Sequence, residues 1–343
     1  MDTVFVTGGT GFVGANLVRL LLDKGFKVKA LARPGSNRKN LAELDVDIVE
    51  GDLLSPESLA RGAAGARYVF HVAADYRVWV PKPEAMLAAN VQGSVNVVEA
   101  AAKAGAERVV HCSSVAAVKT GADKTPADEN SHYSGPETIV GAYKKSKFLA
   151  EKAVLDLAAK GRPVVVVNPA APIGAYDVKP TPTGKIVVDF LSGRMPSYID
   201  TGLNIVAVKD VAQGHLLAAL KGRVGERYIL GGENLTLKNI LFLIAKISGA
   251  KPPKFKTPYA VAYAFAAIDS ARAGLFGGEP LAPLDAVRMA RHYMWFDSSK
   301  AKRELGYSPR PAEEALKDAV RYFTDNGYVK GRPIAAAQDL TPA

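Results

Sequence analysis

Thr7-Gly8-Gly9-Thr10-Gly11-Phe12-Val13-Gly14 follows the apolar run Thr3–Thr7 and leads into an apolar pattern at helical spacing, Val13–Leu22. Gly8, Gly11 and Gly14 each have a physical use in such a strand–turn–helix unit. One permits a tight turn, one lets a pyrophosphate approach the backbone, and one lets the helix pack closely on the sheet. The helix start then offers unpaired N–H groups and a partial positive charge to phosphates. Lys24-Gly25 ends the pattern with a basic last turn and a C-cap glycine.

Outward from this stretch, further apolar runs recur at Lys27–Leu31, Asp47–Val49, Tyr68–Val72, Arg108–Cys112 and Val164–Val167. They are rich in valine and nearly continuous, as parallel strands buried on both faces must be. Alternation with helical patterns predicts an α/β fold, a doubly wound parallel-sheet (Rossmann) domain. After Val167 the rhythm changes. Asn168-Pro169 and Lys179-Pro180-Thr181-Pro182-Thr183-Gly184 read as loop, and helical pieces follow at Leu237–Ile247, Tyr259–Ala273 and Leu281–Tyr293. These predict a smaller, mostly helical substrate lobe over the sheet's carboxyl edge. Asn204–Leu220, with its strand-like Ile205-Val206-Ala207-Val208, reads as a return to the sheet. The expected division is 1–174 with 203–223 as the dinucleotide-binding domain, 175–202 and 224–330 as the lobe, and 331–343 as a tail.

The chain has 343 residues, 48% hydrophobic and 23% charged, which excludes a disordered, collagen-like or disulfide-stapled protein. Its single cysteine, Cys112, can form no internal bridge and no cysteine-based zinc site, and no cluster has metal-ligand spacing. Nothing near Met1 resembles an export signal, and Pro258–Ile268 is too short to cross a bilayer, which takes about 20 residues. A cytoplasmic protein is expected, soluble or peripheral at the inner membrane face. The net charge of +10 points to an anionic partner. Because the positive charges are scattered and not interleaved with aromatic residues, nucleic acid is not expected.

An NAD site usually carries an acidic residue at the end of the second strand. Here Ala30-Leu31-Ala32-Arg33 is followed by Ser36, Asn37 and Arg38, a set suited to a 2′-phosphate, so NADP(H) is preferred while NAD(H) remains open. Asp52 is placed to accept from an adenine amine. Tyr143 and Lys147 lie one helical turn apart in Tyr143-Lys144-Lys145-Ser146-Lys147. A phenol titrating near ~10 needs help to act as an acid–base group at neutral pH. Ser113-Ser114 ends the preceding strand at the carboxyl edge, where a hydroxyl can orient a substrate oxygen.

This combination resembles the extended short-chain dehydrogenase/reductase superfamily, or NAD-dependent epimerase/dehydratase family. The likeness runs through Thr7–Gly14, Val69–Ala74, Asn90 with Gly93, Ser113-Ser114, Tyr143 with Lys147, Val208–Val211 and Ser299–Tyr307. Within it, His71–Arg77, Asn168–Gly174, Lys179–Gly184, Tyr198–Asn204 and Tyr228–Asn234 resemble bacterial hopanoid-associated sugar epimerases, a subgroup similar to the dihydroflavonol reductases. The resemblance implies Tyr143 as acid/base, Lys147 as the residue that lowers its pKa and holds the ribose hydroxyls, and Ser114, chosen over Ser113, as the binder of the reacting oxygen. It implies cofactor contacts from Gly8, Thr10, Gly11, Phe12, Val13 and Gly14, then from Arg33, Arg38, Asp52 and Leu53. Val72, Ala73, Ala74, Asn90, Ser113 and Asn168 complete that set, with Tyr143 and Lys147. Val115-Ala116 stand where dehydratases of the family carry an acidic pair, so dehydration is not expected.

The implied chemistry is hydride transfer at a secondary alcohol or ketone carbon. Sugar epimerisation and NADPH-dependent ketone reduction both fit, and a non-catalytic NADP(H)-sensing regulator is the alternative of another class. The implied partners are a small-molecule substrate, sugar-bearing or lipid-linked, and a second copy of the chain in a homodimer. His71 is expected near the cofactor diphosphate or as a structural residue, and Cys112 as a small buried apolar side chain. Asp75, Tyr76 and Arg77 follow the fourth strand at the active edge. Lys251, Lys254 and Lys256 precede an apolar helical run on which Tyr259, Ala262, Tyr263 and Ala266 share a face. That pairing suits either a peripheral membrane contact or a core helix with solvated lysines.

Overall fold

The computed structural model describes residues 1–75, 77, 83–278 and 280–329. Its strands are β1 Thr3–Thr7, β2 Lys27–Ala32, β3 Val46–Glu50, β4 Tyr68–His71, β5 Arg108–Cys112 and β6 Val164–Pro169. They continue as β7 Ala171–Ile173, β8 Ser197–Tyr198, β9 Gly202–Ala207, β10 Arg227–Leu230, β11 Glu233–Thr236 and β12 Phe255–Lys256. The helices are α1 Phe12–Asp23, α2 Pro56–Ala63, α3 Pro83–Lys103, α4 Ala142–Ala159, α5 Pro182–Leu191 and α6 Val208–Lys221. After them come α7 Leu237–Ser248, α8 Tyr259–Phe276, α9 Leu284–Met289, α10 Ser299–Leu305 and α11 Ala312–Asp325.

Seven strands pair in parallel in the order β3-β2-β1-β4-β5-β6-β10. Valine alternation explains why this sheet sits in the centre. Val165 and Val167 of β6 join the core under α1 and α6, while Val164 and Val166 join the core under α2, α3 and α4. With both faces apolar and covered, the strands have no solvated side, which is the condition for a parallel sheet. The order reverses between β1 and β4, so the crevice for a ligand opens at their carboxyl ends.

The chain returns to this sheet later than its apolar pattern suggests. Strand β9, which holds Ile205-Val206-Ala207, pairs instead with β7 and β11 in a separate three-stranded sheet. The helix that follows, α6, does pack on the large sheet through Val211, Leu216 and Ala219. The returning strand is β10, parallel to β6, and Ala301, Leu305 and Tyr307 from the α10 segment fill the same core. Residues 227–230 and 301–307 therefore belong with the sheet rather than with the lobe. Four residues of β10 are too short for a periodicity signal, and their burial comes from the neighbouring strand.

The lobe has its own core, where Val187, Ile205, Leu241, Ile244, Leu316 and Phe323 meet. Strands β8 and β12 form a two-stranded pair at its rim. No helix among the described residues is long and apolar enough to cross a membrane.

The large sheet buries three histidines, His71, His111 and His215. Burial pushes His71 down to about 3 and His215 to about 4, and holds His111 well below the usual histidine value. All three are neutral in the fold and bind protons once unfolded. Stability from these groups is therefore complete above ~6.5 and declines as pH falls, at about 1.4 kcal/mol per pH unit for each histidine. Neither ring nitrogen of His111 has a hydrogen-bond partner among the described residues. His111→Phe should retain full stability at pH 7, and between pH 6 and 5 it should lose about 1.4 kcal/mol less than wild type. Urea unfolding at both pH values checks this. An unchanged pH slope would show that His111 is not the buried neutral group described.

Candidate active site

The glycine turn is built from steric necessity. Gly8 has φ +77°, and a Cβ there would lie 2.5 Å from the Ala73 amide nitrogen, so the segment after β4 packs directly on the turn. A Cβ at Gly14 would lie 2.1 Å from the Gly8 carbonyl oxygen, so α1 sits on the turn as closely as backbone allows. Gly11 is the N-cap of α1. It lends no side-chain cap, and the helix has no acidic residue in its first turn. The first amides thus keep their capacity for an anion. Thr10, Gly11 and Phe12 line a pocket with Asn37, Lys39, Asn40, Asp177, Val178 and Lys179. These features fit the diphosphate of a dinucleotide.

Two asparagines absent from the sequence expectations hold this turn to the lobe. Asn16 donates to the carbonyls of Phe12 and Ala175, both at 3.0 Å, and Asn40 donates to those of Thr10 and Tyr176 at 3.1 and 3.2 Å. The Arg19 guanidinium lies 3.6 Å from the Tyr176 ring centre. Their partners in the lobe, Ala175 and Tyr176, are more than a hundred residues away, so no local pattern could have revealed them.

At the end of β2, Arg33 is exposed and close enough to Asp75 for its charge to act there. Burial of Asp75 is outweighed by hydrogen bonds from Arg77 and by the charges of Arg77 and Arg33, which hold the carboxyl below its usual range. Arg38 is paired with Glu50 at the end of β3. The Asp52 carboxylate accepts the Leu54 amide at 2.9 Å and shapes its own turn, and Leu53 packs against Gly93. Tyr76 lies outside the described residues.

A buried chain of hydrogen bonds runs from the glycine turn to α4. Ser94 donates to the Asn90 carbonyl at 2.5 Å, so its oxygen is left to accept from His71 Nε2 at 3.0 Å. His71 Nδ1 then accepts from the Thr7 hydroxyl at 2.7 Å. Asn90 continues the chain through its side chain. Its Oδ1 accepts the Asp75 amide at 2.8 Å, and its Nδ2 donates to the Asp75 carbonyl and to Ser146 Oγ, both at 2.9 Å. Ser146 in turn donates to the Tyr143 carbonyl at 2.8 Å. The amide of Asn90 is therefore taken up by the protein, and His71 is a structural relay.

At the far end stand the candidate chemical groups. Tyr143 opens α4, and its phenol shares a side-chain hydrogen bond with Ser114. Burial pushes the phenol up to about 12 against the pull of that hydrogen bond. Ser114 Oγ also accepts the Ala116 amide at 3.1 Å, which fixes its rotamer. Val72, Ala73 and Ala74 follow β4 beside the turn, with the Val72 amide donating to the Thr7 carbonyl at 3.1 Å. Lys147 is buried and donates to the Cys112 carbonyl at 2.8 Å, and burial lowers its pKa. Cys112 is raised to about 11 by burial, which removes it as a nucleophile. Ser113 Oγ and Asn168 Oδ1 are buried without a hydrogen-bond partner among the described residues. Asn168 Nδ2 donates to the Ser114 carbonyl at 3.0 Å and to Glu151 at 2.6 Å. Glu151 is in a buried ion pair with Arg227 at 2.8 Å. The position of Ser114 thus depends on a fixed charge pair behind it.

Gly14→Ala should lower stability by about 1–3 kcal/mol, because the new methyl group overlaps a backbone oxygen. It should also abolish binding of a nicotinamide dinucleotide. Thermal unfolding and cofactor fluorescence titration test both, and wild-type binding by this variant would contradict the cradle described.

Comparison with known proteins agrees with this geometry. Residues 4–231 match the model of the NAD dependent epimerase/dehydratase family. A protein of Synechocystis sp., named provisionally as a dihydroflavonol 4-reductase, is 46% identical over 96% of both chains. Sterol demethylase protein B of Methylococcus capsulatus is 33% identical over 95% of this chain and 100% of its own. The crystal structure of gox2253 superposes with a TM-score of 0.85 at 46% identity, covering 96% of this chain and 100% of the other. With a seven-stranded parallel sheet, a glycine turn open to phosphate and a match over most of its length, the chain belongs to the NAD dependent epimerase/dehydratase family and is a nicotinamide-dependent enzyme of the extended short-chain dehydrogenase/reductase type.

Proposed function

We propose that this enzyme reduces a ketone to a secondary alcohol with NADPH. The feature that supports this most is the setting of Tyr143, a half-buried phenol beside Ser114 that burial holds protonated at neutral pH. Reduction of a carbonyl needs an acid at the oxygen, and a neutral phenol is that acid.

The bound nicotinamide would supply hydride to the carbonyl carbon. Ser114 and Tyr143 together would hold the carbonyl oxygen, with Ser114 Oγ oriented by the Ala116 amide. As charge gathers on that oxygen, the Tyr143 phenol would hand over its proton. Lys147, anchored on the Cys112 carbonyl, would bind ribose hydroxyls with its remaining N–H donors and stabilise the phenolate left behind. Gly8 to Gly14 would hold the diphosphate, and Arg33, exposed at the end of β2, would pair with a 2′-phosphate.

The name of the Synechocystis relative, a dihydroflavonol 4-reductase, also favours reduction. A second reading, sugar epimerisation of the hopanoid-associated type, keeps its support from Asn168–Gly174 and Tyr228–Asn234. It uses the same three residues in both directions. On either reading the enzyme works in the cytoplasm on a small molecule, lipid-linked or sugar-bearing, and a homodimer is compatible with both. Retention of Tyr143 and Lys147 weighs against a purely sensing role.

Two outcomes test the proposal. Tyr143→Phe should fold and bind cofactor normally while turnover of a ketone substrate falls roughly 10²- to 10⁴-fold; near-normal turnover would remove Tyr143 from the chemistry. Wild type should bind NADPH about 10- to 100-fold more tightly than NADH, the scale of a charge-assisted hydrogen-bond pair. Arg33→Asp should erase or invert that ratio in equilibrium titrations. Equal affinities in wild type, unchanged in the variant, would leave Arg33 with no role in cofactor choice.

A further inference from the structure

The helix α8 is built inside out. Its packed side carries small or paired residues, Ala266, Asp269 and Ala273, while its large apolar side chains point to solvent. Val261, Phe265, Ile268 and Leu275 follow one another at helical spacing, and their exposures are 58%, 54%, 73% and 80%. The stripe lies about a third of a turn round the helix from the buried residues. On the side that carries Tyr259, Ala262, Tyr263 and Ala266, only Ala266 is buried, Tyr259 and Ala262 are half-buried and Tyr263 is exposed. Phe276 and Leu281 extend the exposed stripe past the helix end. The face is held rigid, because Asp269 accepts the Ala282 amide at 3.0 Å and Ser270 accepts the Leu284 amide at 3.0 Å. An apolar surface of this continuity marks a contact with something else.

The charges around the stripe say what that is. Lys251 and Lys254 lie exposed just before the helix, with no acidic partner among the described residues. The acidic side chains of these elements, Asp200, Asp269 and Asp285, are paired with Lys256, Arg272 and Arg288. Glu279 lies outside the described residues. The surface is therefore apolar with an uncompensated positive rim, on a chain of net charge +10. We propose that the α8 stripe docks on an anionic lipid bilayer, with its apolar side chains among the acyl chains and Lys251 and Lys254 at the headgroups. A second copy of the chain would bring the same lysines with no acidic group of these elements left to meet them.

This surface adjoins the site. In α9, which packs on α8, the Asp285 carboxylate lies 3.7 Å from where a Cβ of Gly141 would stand, two residues before Tyr143. Docking would bring the entrance beside α4 to the lipid surface. The contact itself is independent of which carbonyl or alcohol the enzyme turns over.

Co-sedimentation of the full chain with sucrose-loaded vesicles tests the proposal, using phosphatidylglycerol–phosphatidylcholine mixtures and phosphatidylcholine alone. The protein should pellet with the anionic vesicles, and binding should fall at least about tenfold when salt is raised from about 0.05 to about 0.5 M. Lys251→Gln with Lys254→Gln should remove most of the salt-dependent part. Phe265→Ser with Ile268→Ser should abolish pelleting while NADPH affinity stays at the wild-type value, which also shows that the variant is folded. Absence of pelleting at low salt overturns the proposal. So does pelleting unchanged by both variants, or a wild-type dimer that the Phe265/Ile268 variant converts to monomer, which would make the stripe a subunit interface.

Discussion

Everything at the site depends on one buried string of hydrogen bonds, from Thr7 through His71, Ser94 and Asn90 to Ser146. It crosses three elements that are far apart in sequence, β1, β4 and α3, and ends on α4, the helix that carries Tyr143. The direction of donation is consistent from end to end only while His71 is neutral with its proton on Nε2. Burial supplies that condition. The glycine turn, whose shape fits a dinucleotide's diphosphate, and the helix that carries Tyr143 are thereby set in one frame. The distance between a hydride donor and a proton donor has to be fixed to a fraction of an ångström for transfer to be efficient.

A second constraint acts from below. Asn168 holds the Ser114 carbonyl, and its other donation goes to Glu151, whose charge is matched by Arg227. A buried pair of this kind costs desolvation, and its stabilising value over an apolar replacement is small. Its value here is positional. Arg227 begins β10 and also donates to the Glu129 carbonyl, so the last strand of the sheet, the loop before α4 and the serine at the end of β5 are registered together. The protonation state of the site follows from the same burial. A phenol whose pKa is raised by burial stays neutral, which suits an enzyme that delivers a proton to a carbonyl oxygen.

The sheet, the glycine turn and the Tyr143–Lys147 pair were legible in the sequence because each rests on local periodicity. Valine runs, glycine spacing and a one-turn separation survive in a short window. The features that were not legible depend on partners at long range. Strand β10 is defined by its neighbour β6, and Asn16 and Asn40 by carbonyls across the fold. Asn90 stands within the recognised pattern, yet its side chain bonds Asp75 and Ser146. Arg38 met Glu50 instead of remaining free at the second strand's end. For α8 the sequence leaves a core helix and a membrane contact both open, because alanine fits both a core and a surface, and only packing shows which side the small residues take.

On the proposed function, this frame carries hydride from a nicotinamide to a ketone, and Tyr143 closes the reaction by protonation. The most direct test is a labelling experiment with NADPH carrying deuterium at both C4 positions of the nicotinamide and a panel of ketones from sterol-like to short-chain. The expected product has one deuterium at the new carbinol carbon and a single configuration there, with one NADP+ formed per alcohol. Deuterium-free product, or inversion of a secondary alcohol with no net consumption of NADPH, would contradict it.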